Sequence, residues 1–388
     1  MVPLNDTELT RRDVLRTLAG GAVVGVAGCL DDLLDDDRPV VIDRLDGSWE
    51  MYQRNATNTG GDERGAGPTQ EPETAWWFQA GGGIETSVAV DEELAYVSSR
   101  DRHLYALDVD SGEEEWSYMT QNDIRSSPVI VDDVIYVGST DGSLHAIDSR
   151  SGDAMWRFPV GSDVPTSPAV VGGVAFIAAA DDRLYAVDIE TADELWSRRG
   201  VTADSSPTIA DELLIIGSNH VEIHAYDVRS GAREWSFDTG DIITSTAAIS
   251  DGIVVIGAGD GHIYGFDLLT GDEEWRVPTD ARVSSRVTIR DDTAYAGNDR
   301  GDVFAIDLQT GSIQWEEPLG TTVWSAPAVT DDLVYISAHS EELFALERDT
   351  GEVSWSDVNR ASINTSPTVA HGMVFTGDRH GNVYALAD

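Results

Sequence analysis

Eight positions spaced 39 or 40 residues apart carry the side chains best placed to recognise something: Glu85, Arg125, Pro165, Asp204, Thr244, Ser284, Trp324 and Asn364. Each is followed by a hydroxyl residue, in turn Thr86, Ser126, Thr166, Ser205, Ser245, Ser285, Ser325 and Thr365. A hydroxyl repeated at every step reads as scaffold, bonding backbone near an axis. The residue before it changes at every step and is free to be functional. Arg286 interrupts the next position, which is otherwise Ser, Thr or Ala. Glu85, Arg125, Asp204, Arg286, Trp324 and Asn364 are therefore the binding candidates. Carboxylate, guanidinium, amide and indole groups recognise by ion pairing and stacking; the plainer alternative is a water-filled mouth. No nucleophile, base and acid stand together, so no catalytic residue is assigned. The eight histidines lack metal-ligand spacing, so no metal residue is assigned either. His220 and His224, four apart, would share a face only on a helix, and their segment reads as strand.

The elements that position these residues are legible in a repeat. Trp76, Trp116, Trp156, Trp196, Trp235, Trp275, Trp315 and Trp355 recur at the same 39- or 40-residue interval, a period that signals repeat architecture. Each unit reads as four short strands. In one of them these are Ser126–Val131, Val134–Gly138, Leu144–Asp148 and Ala154–Phe158, with turns at Asp141-Gly142 and Ser151-Gly152. A four-stranded antiparallel unit at this period is a β-propeller blade. The first and third strands occur eight times each. The C-terminal unit lacks its fourth strand, and Ala75-Trp76-Trp77-Phe78 supplies one from the other end. The expected fold is all-β, an eight-bladed propeller closed by pairing an N-terminal strand with the C-terminal blade, which leaves no free sheet edge.

Between third and fourth strands runs the pattern A-x-D-x-x-T/S-G-x-x-x-W, seen intact at Ala106-Asp108-Ser111-Gly112-Trp116 and Ala305-Asp307-Thr310-Gly311-Trp315. Ala192, Gly265 and Glu347 are its departures. Glycine permits the left-handed turn, aspartate and hydroxyl bond turn amides, and the small alanine is expected to leave room for a neighbouring blade's indole. Each buried indole removes ~150–250 Å² from water, worth about 4–6 kcal/mol before entropy. The pattern resembles the tryptophan-docking repeat, WD40-like in architecture, of the pyrroloquinoline-quinone (PQQ)-like propellers, which include quinoprotein dehydrogenases and BamB-like lipoproteins. The resemblance spans roughly residues 49–388, with a propeller at 76–388 and a lead-in segment at 49–75. It implies either a non-catalytic binding scaffold with no cofactor or, alternatively, a PQQ- and calcium-dependent dehydrogenase. Blades of 39 or 40 residues leave no insertion to house a cofactor, and the chain lacks the adjacent cysteine pair that many such dehydrogenases carry, so the scaffold is the expectation. The role of BamB at an outer membrane does not transfer whole, because a salt-adapted archaeon lacks that membrane.

The N-terminus reads as an address. Arg11-Arg12 in Thr10–Arg16 is a twin-arginine pattern followed by a Gly/Ala-rich apolar stretch, too short to span a bilayer. Val26-Ala27-Gly28-Cys29 resembles a lipobox, making Cys29, the only cysteine, the lipidation residue. Residues 1–28 are thus a signal peptide and 29–48 an acidic tether. The expected location is the outer face of the cell membrane, held only by lipid, with a cell-surface or membrane protein as partner and a monomeric ring. The chain's 70 acids against 25 bases, all arginine, give a net charge of −45. Such a surface repels phosphate backbones and excludes nucleic acid. It suits molar salt, where screening acts within about 3 Å. Sequons at Asn55-Ala56-Thr57 and Asn364-Thr365-Ser366 are weak signals.

Overall fold

The computed structural model describes residues 67–201, 204–339, 342–357, 363 and 365–388; the twin arginines, Cys29, the tether, the sequon at Asn55 and Asn364 lie outside them. The described residues form eight four-stranded antiparallel sheets. Blade 1 comprises β2 (Ala89–Val90), β3 (Leu94–Ser98), β4 (His103–Asp108) and β5 (Glu114–Met119). Blade 2, β6 to β9, runs from Val129 to Pro159, and blade 3, β10 to β13, from Ala169 to Arg199. Blade 4 runs from Thr208 to Asp238 (β14–β17), blade 5 from Ala248 to Pro278 (β18–β21), and blade 6 from Thr288 to Pro318 (β22–β25). Blade 7 is β26 to β29, Ala328 to Asp357. Blade 8 takes β30 (Thr368–Ala370), β31 (Met373–Gly377) and β32 (Asn382–Ala387) from the C-terminus and β1 (Glu73–Gln79) from the N-terminal side. The expected propeller and its closure are therefore what the chain builds.

The innermost strands begin later than their composition suggests, at Val129 rather than Ser126. The two residues before them spend their hydrogen-bonding groups elsewhere. The first hydroxyl bonds the second strand of its own blade: Ser126 Oγ donates to Gly138 O at 3.0 Å and accepts from Gly138 N at 2.7 Å. Ser285 repeats this with Gly297 and Ser325 with Ser337. All eight of these hydroxyl residues are buried, which supports the structural reading of the ring.

Blade docking rests on the tryptophans. Seven of the eight indole Nε1 groups donate to a carbonyl in the next blade, among them Trp76 to Val109 at 2.8 Å, Trp156 to Ile189 at 2.8 Å and Trp275 to Leu308 at 2.9 Å. In every blade the outer-strand register slips immediately before the tryptophan, as where Ala106 faces Trp116 but Leu107 faces Glu114. That bulge, one extra residue against a continuous partner, re-aims the indole out of its sheet. The indole then lies over the turn glycine of the next blade. A Cβ on Gly112, at φ +71°, would stand 2.5 Å from Trp76, so this glycine is required twice over. Asp108 Oδ1 braces the same turn, accepting from Ser111 Oγ at 2.7 Å and Ser111 N at 2.8 Å. These bonds hold its carboxyl below the usual carboxylate range.

One expectation is corrected. The small residue of the repeat makes room for the indole of its own blade, not a neighbour's. Ala106 and Trp116 are cross-strand partners, and a Cβ on Gly265 would stand 2.2 Å from Trp275 of the same sheet. The bulge swings the ring back across its own hairpin before it reaches the next blade.

Closure uses residues ahead of β1. Trp355 of blade 7 donates to Pro68 O at 3.1 Å, and Tyr335 Oη donates to the same carbonyl at 3.1 Å. β1 itself begins at Glu73, and Gly67 packs against the Tyr335 ring. The fold thus draws on residues of the lead-in segment before 76. Thr368 Oγ1 donates to Val88 O at 2.8 Å, joining blade 8 to blade 1.

Trp196 is 5% exposed, donates to Val228 O at 3.0 Å and carries Arg198 over its ring. Trp196→Ala is expected to cost roughly 3–5 kcal/mol in denaturant unfolding at molar salt. A loss well below that range would deny these residues their docking role.

Candidate functional site

The mouth of the propeller's central channel is assembled from two loops per blade. One leads into the innermost strand and carries the variable position; the other is the hairpin between second and third strands. Backbone bonds hold the two together: Arg100 N donates to Gly83 O at 3.1 Å, Asp299 N to Arg282 O at 2.9 Å and His339 N to Thr322 O at 2.9 Å. The variable residues are consequently met by hairpin residues, fifteen positions away for Glu85 with Arg100 and Asp204 with Asn219, and 25 away, from the preceding blade, for Trp324 with Asp299.

Between blades 1 and 2 this produces a chain of charges. Arg100 Nη1 lies 3.1 Å from Glu85 Oε1 and its Nε 3.5 Å from Asp123 Oδ2; Arg125 Nη2 lies 3.9 Å from the same Asp123 oxygen. The Glu85 carboxylate raises the Arg100 pKa. The two arginines are exposed and the two carboxylates half-buried, so the network orients groups more than it stabilises the fold. In blade 4, Asn219 Nδ2 donates to Asp204 Oδ2.

Blades 6 and 7 offer a different surface. Trp324 is 42% exposed, yet its indole is held on two sides. Nε1 donates to Asp299 Oδ1 at 3.0 Å, and the ring meets His339 at a centroid distance of 4.5 Å, inclined 48°. Arg286 lies two residues past the variable position of its blade, Ser284, and is half-buried, with no hydrogen-bond or ion-pair partner among the described residues. Burial alone lowers its pKa.

The profile of the family described as outer membrane protein assembly factor BamB matches residues 57–237 and, overlapping, 202–388. The chain belongs to that family. Among solved structures, BamB from Moraxella catarrhalis is similar with a TM-score of 0.70 and 20% identity over 82% of this chain and 98% of its own. The computationally designed protein Ika8 has a TM-score of 0.72 at 20% identity, over 80% and 98%. A quinohemoprotein alcohol dehydrogenase from Pseudomonas putida HK5 has a TM-score of 0.70 at 15% identity, over 86% and 80%. At these identities the likenesses speak to the fold alone. No curated protein sequence matches this chain closely enough to count as a relative.

The dehydrogenase likeness makes the donor set worth testing against calcium, which takes six to eight oxygen ligands. In this BamB-family propeller Glu85 and Asp123 face guanidinium groups, Asp204 accepts from Asn219, and Asp299 accepts from Trp324. Among the described residues no three acidic, His or Cys side chains converge. Among the described residues, this donor set, with its carboxylates already committed to protein partners, does not fit a calcium-held quinone.

Five of the six binding candidates are described, and all five stand in the lead-ins two to four residues before the innermost strands. The structure links Glu85 with Arg125 through Arg100 and Asp123, leaves Asp204 on a separate blade, and sets Arg286 and Trp324 on neighbouring blades. The reading of the sequence missed Arg100, Asp123, Asn219, Asp299 and His339. Aligning the hairpins as well as the strand starts would have found four of them, since Arg100, Asn219, Asp299 and His339 share one repeat position.

His224, at the third-strand position filled by Tyr105, Tyr185 and Tyr264, differs from its equivalents. Those tyrosines each donate to an aspartate four residues earlier at 2.6 Å. In blade 4 that earlier residue is His220. His224 is 2% exposed, neither ring nitrogen has a hydrogen-bond partner, and its closest carboxylate, Glu222, is 3.8 Å away. Burial, with added repulsion from Arg233 and His220, pushes its pKa down to about 4. Folded His224 stays neutral where the unfolded chain, near 6.5, takes up a proton. Stability should therefore fall as pH drops from about 6.5 towards about 4, by up to about 1.4 kcal/mol per pH unit from this group. His224→Phe, the residue found at 304 and 344, is expected to flatten that part of the curve when denaturant midpoints are compared near pH 7 and pH 4.5. Parallel curves for parent and variant would contradict it.

Proposed function

We propose that this BamB-family chain is a non-catalytic propeller scaffold that binds a cell-surface or membrane protein through its channel mouth. The observation that carries the reading is Trp324. A large indole left 42% exposed, braced by Asp299 and packed at a tilt against His339, is an ordered aromatic anchor. Such residues supply much of the energy of protein interfaces, because the ring buries a large area with little entropy left to lose. The family's description names assembly of outer membrane proteins. From it this proposal takes only the notion of a scaffold that holds another protein. The charged chain Glu85–Arg100–Asp123–Arg125 would add orientation and a salt-sensitive association rate.

The same proposal places the protein outside the cell, exported by the twin-arginine route and held by lipid on Cys29, in a salt-adapted archaeon. Support comes from Arg11-Arg12, the Gly/Ala-rich stretch and Val26–Cys29 in the order an export lipoprotein requires. Cys29→Ser should move the protein from the membrane fraction to the medium, and replacing both Arg11 and Arg12 by Lys should retain it in the cell. Unchanged fractionation of both variants would refute this address.

Affinity capture from salt-extracted membranes should recover a stoichiometric partner with the parent protein and at least tenfold less with Trp324→Ala. Since the indole is largely outside the core, the variant should unfold within about 1 kcal/mol of the parent. Recovery of a clean monomer by the parent would overturn the scaffold reading. So would alcohol or sugar oxidation with an added dye after reconstitution with PQQ and calcium.

A further inference from the structure

The position of Arg286 belongs to a second ring of hydroxyls that stitches successive blades together at the axis. Ser87 N donates to Ser127 Oγ at 3.1 Å, Ser127 N to Ser167 Oγ at 3.0 Å, and Ser167 N to Ser206 Oγ at 3.1 Å. Ser206 N continues the series to Thr246 Oγ1 at 3.3 Å. Thr246 N should next meet a hydroxyl at 286 and meets arginine instead. The stitch resumes only where Ala326 N donates to Ser366 Oγ at 2.8 Å. Arg286 thus replaces the side-chain stitch at the seam of blades 5 and 6, where Val287 N donates to Thr246 O at 3.3 Å, and sets a cation among innermost strands that pack against one another.

That cation is unlike the other arginines. Every other half-buried guanidinium is bound by the protein: Arg183 to Ser197, Arg198 to the carbonyls of Ser230 and Gly231, Arg229 to Glu212, Arg290 to Asp331, and Arg348 to Asp291. Arg286 has no such partner among the described residues, and burial is the only influence on its pKa, with no carboxylate acting on it. It keeps some solvent contact in the lead-in to an innermost strand. The protein is rich in acids, and yet among the described residues no carboxylate neutralises this half-buried cation. A charge partly withdrawn from water without a counter-charge is unfavourable, and a guanidinium cannot escape by losing its proton.

We propose that Arg286 is the anchor of an anion site in the central channel, for a small oxyanion of the carboxylate or phosphate type. The planar fork of N–H donors matches two oxygens of such a group and binds it bidentately. A −45 surface repels anions at long range, but molar salt screens that field within a few Å, so the local cation decides. The site is independent of the partner proposed for the mouth: capture of a partner by the parent and by an Arg286 variant alike would leave the scaffold reading intact.

The test uses Arg286→Ser, which installs the hydroxyl found at 87, 127, 167, 206 and 366. This variant should fold, and it restores an acceptor for Thr246 N. Calorimetric titration at constant, molar potassium chloride with acetate in one arm and inorganic phosphate in the other reads the site. The parent should bind at least one of them saturably at one per chain, with affinity reduced at least tenfold in Arg286→Ser and to a lesser degree in Arg286→Lys. The arm that saturates says which oxyanion is taken. In thermal unfolding without either anion Arg286→Ser should melt higher than the parent, and the bound anion should narrow the gap. Equal binding by parent and Arg286→Ser, or no saturable binding by the parent in either arm, would overturn the proposal.

Discussion

The hydrogen bond from an indole to a carbonyl of the next blade is the constraint on which the molecule depends. A four-stranded sheet of about thirty residues cannot bury both faces alone, so each blade is stable only against its neighbours. The bulge before the tryptophan directs the ring outward, the turn glycine accepts its face, and the Asp–Ser/Thr brace keeps that turn rigid enough to be a target. Remove any of the three and the other two lose their purpose. The bond also explains why closure draws on Pro68: blade 7 has no following complete unit to supply a carbonyl, so the chain ahead of β1 supplies it.

A ring assembled this way leaves freedom where the docking contacts are absent. The axial hydroxyls repeat because each satisfies backbone groups that would otherwise be buried without partners. The residues just before them do not repeat, because they face the mouth and satisfy nothing in the scaffold. The −45 charge obeys the same division. The turn aspartates brace their own hairpins, while at the mouth a few arginines bridge several acids, as Arg100 does between Glu85 and Asp123.

Much of this was legible in the chain. The tryptophan period, the strand order within a blade, the shared eighth blade and the structural hydroxyls all follow from local patterns that survive folding unchanged. Pairings between loops were not. Asp299 finds Trp324 and Asn219 finds Asp204 because hairpin and lead-in are brought together by backbone bonds that no periodicity announces. The direction of the small residue was misjudged for a related reason. Ala106 and Trp116 are ten residues apart, and only the bulge decides whether that separation places them face to face. For Arg286 the sequence marked the position, but its lack of a partner is a property of what surrounds it in space.

Comparison between blades, which are near-copies under one geometric rule, separates tolerated change from change that demands an explanation. In blade 2 His145 replaces the tyrosine of its equivalents but keeps its aspartate: Nε2 meets Asp141 at 3.1 Å and Nδ1 meets Tyr118 Oη at 3.1 Å. Both ring nitrogens are used, so that exchange is self-contained. His224 makes the same exchange in blade 4 after its aspartate has become His220, and its ring is left without hydrogen bonds. The two histidines are equally buried, so burial cannot be what distinguishes them; the partner is. Arg286 follows that logic with a full charge in place of a neutral ring. A missing hydrogen bond at His224 is offset by remaining neutral, a course closed to arginine. Among the described residues nothing supplies its counter-charge, which is why the exception at 286 motivates the proposed ligand and the exception at 224 points only to acid sensitivity.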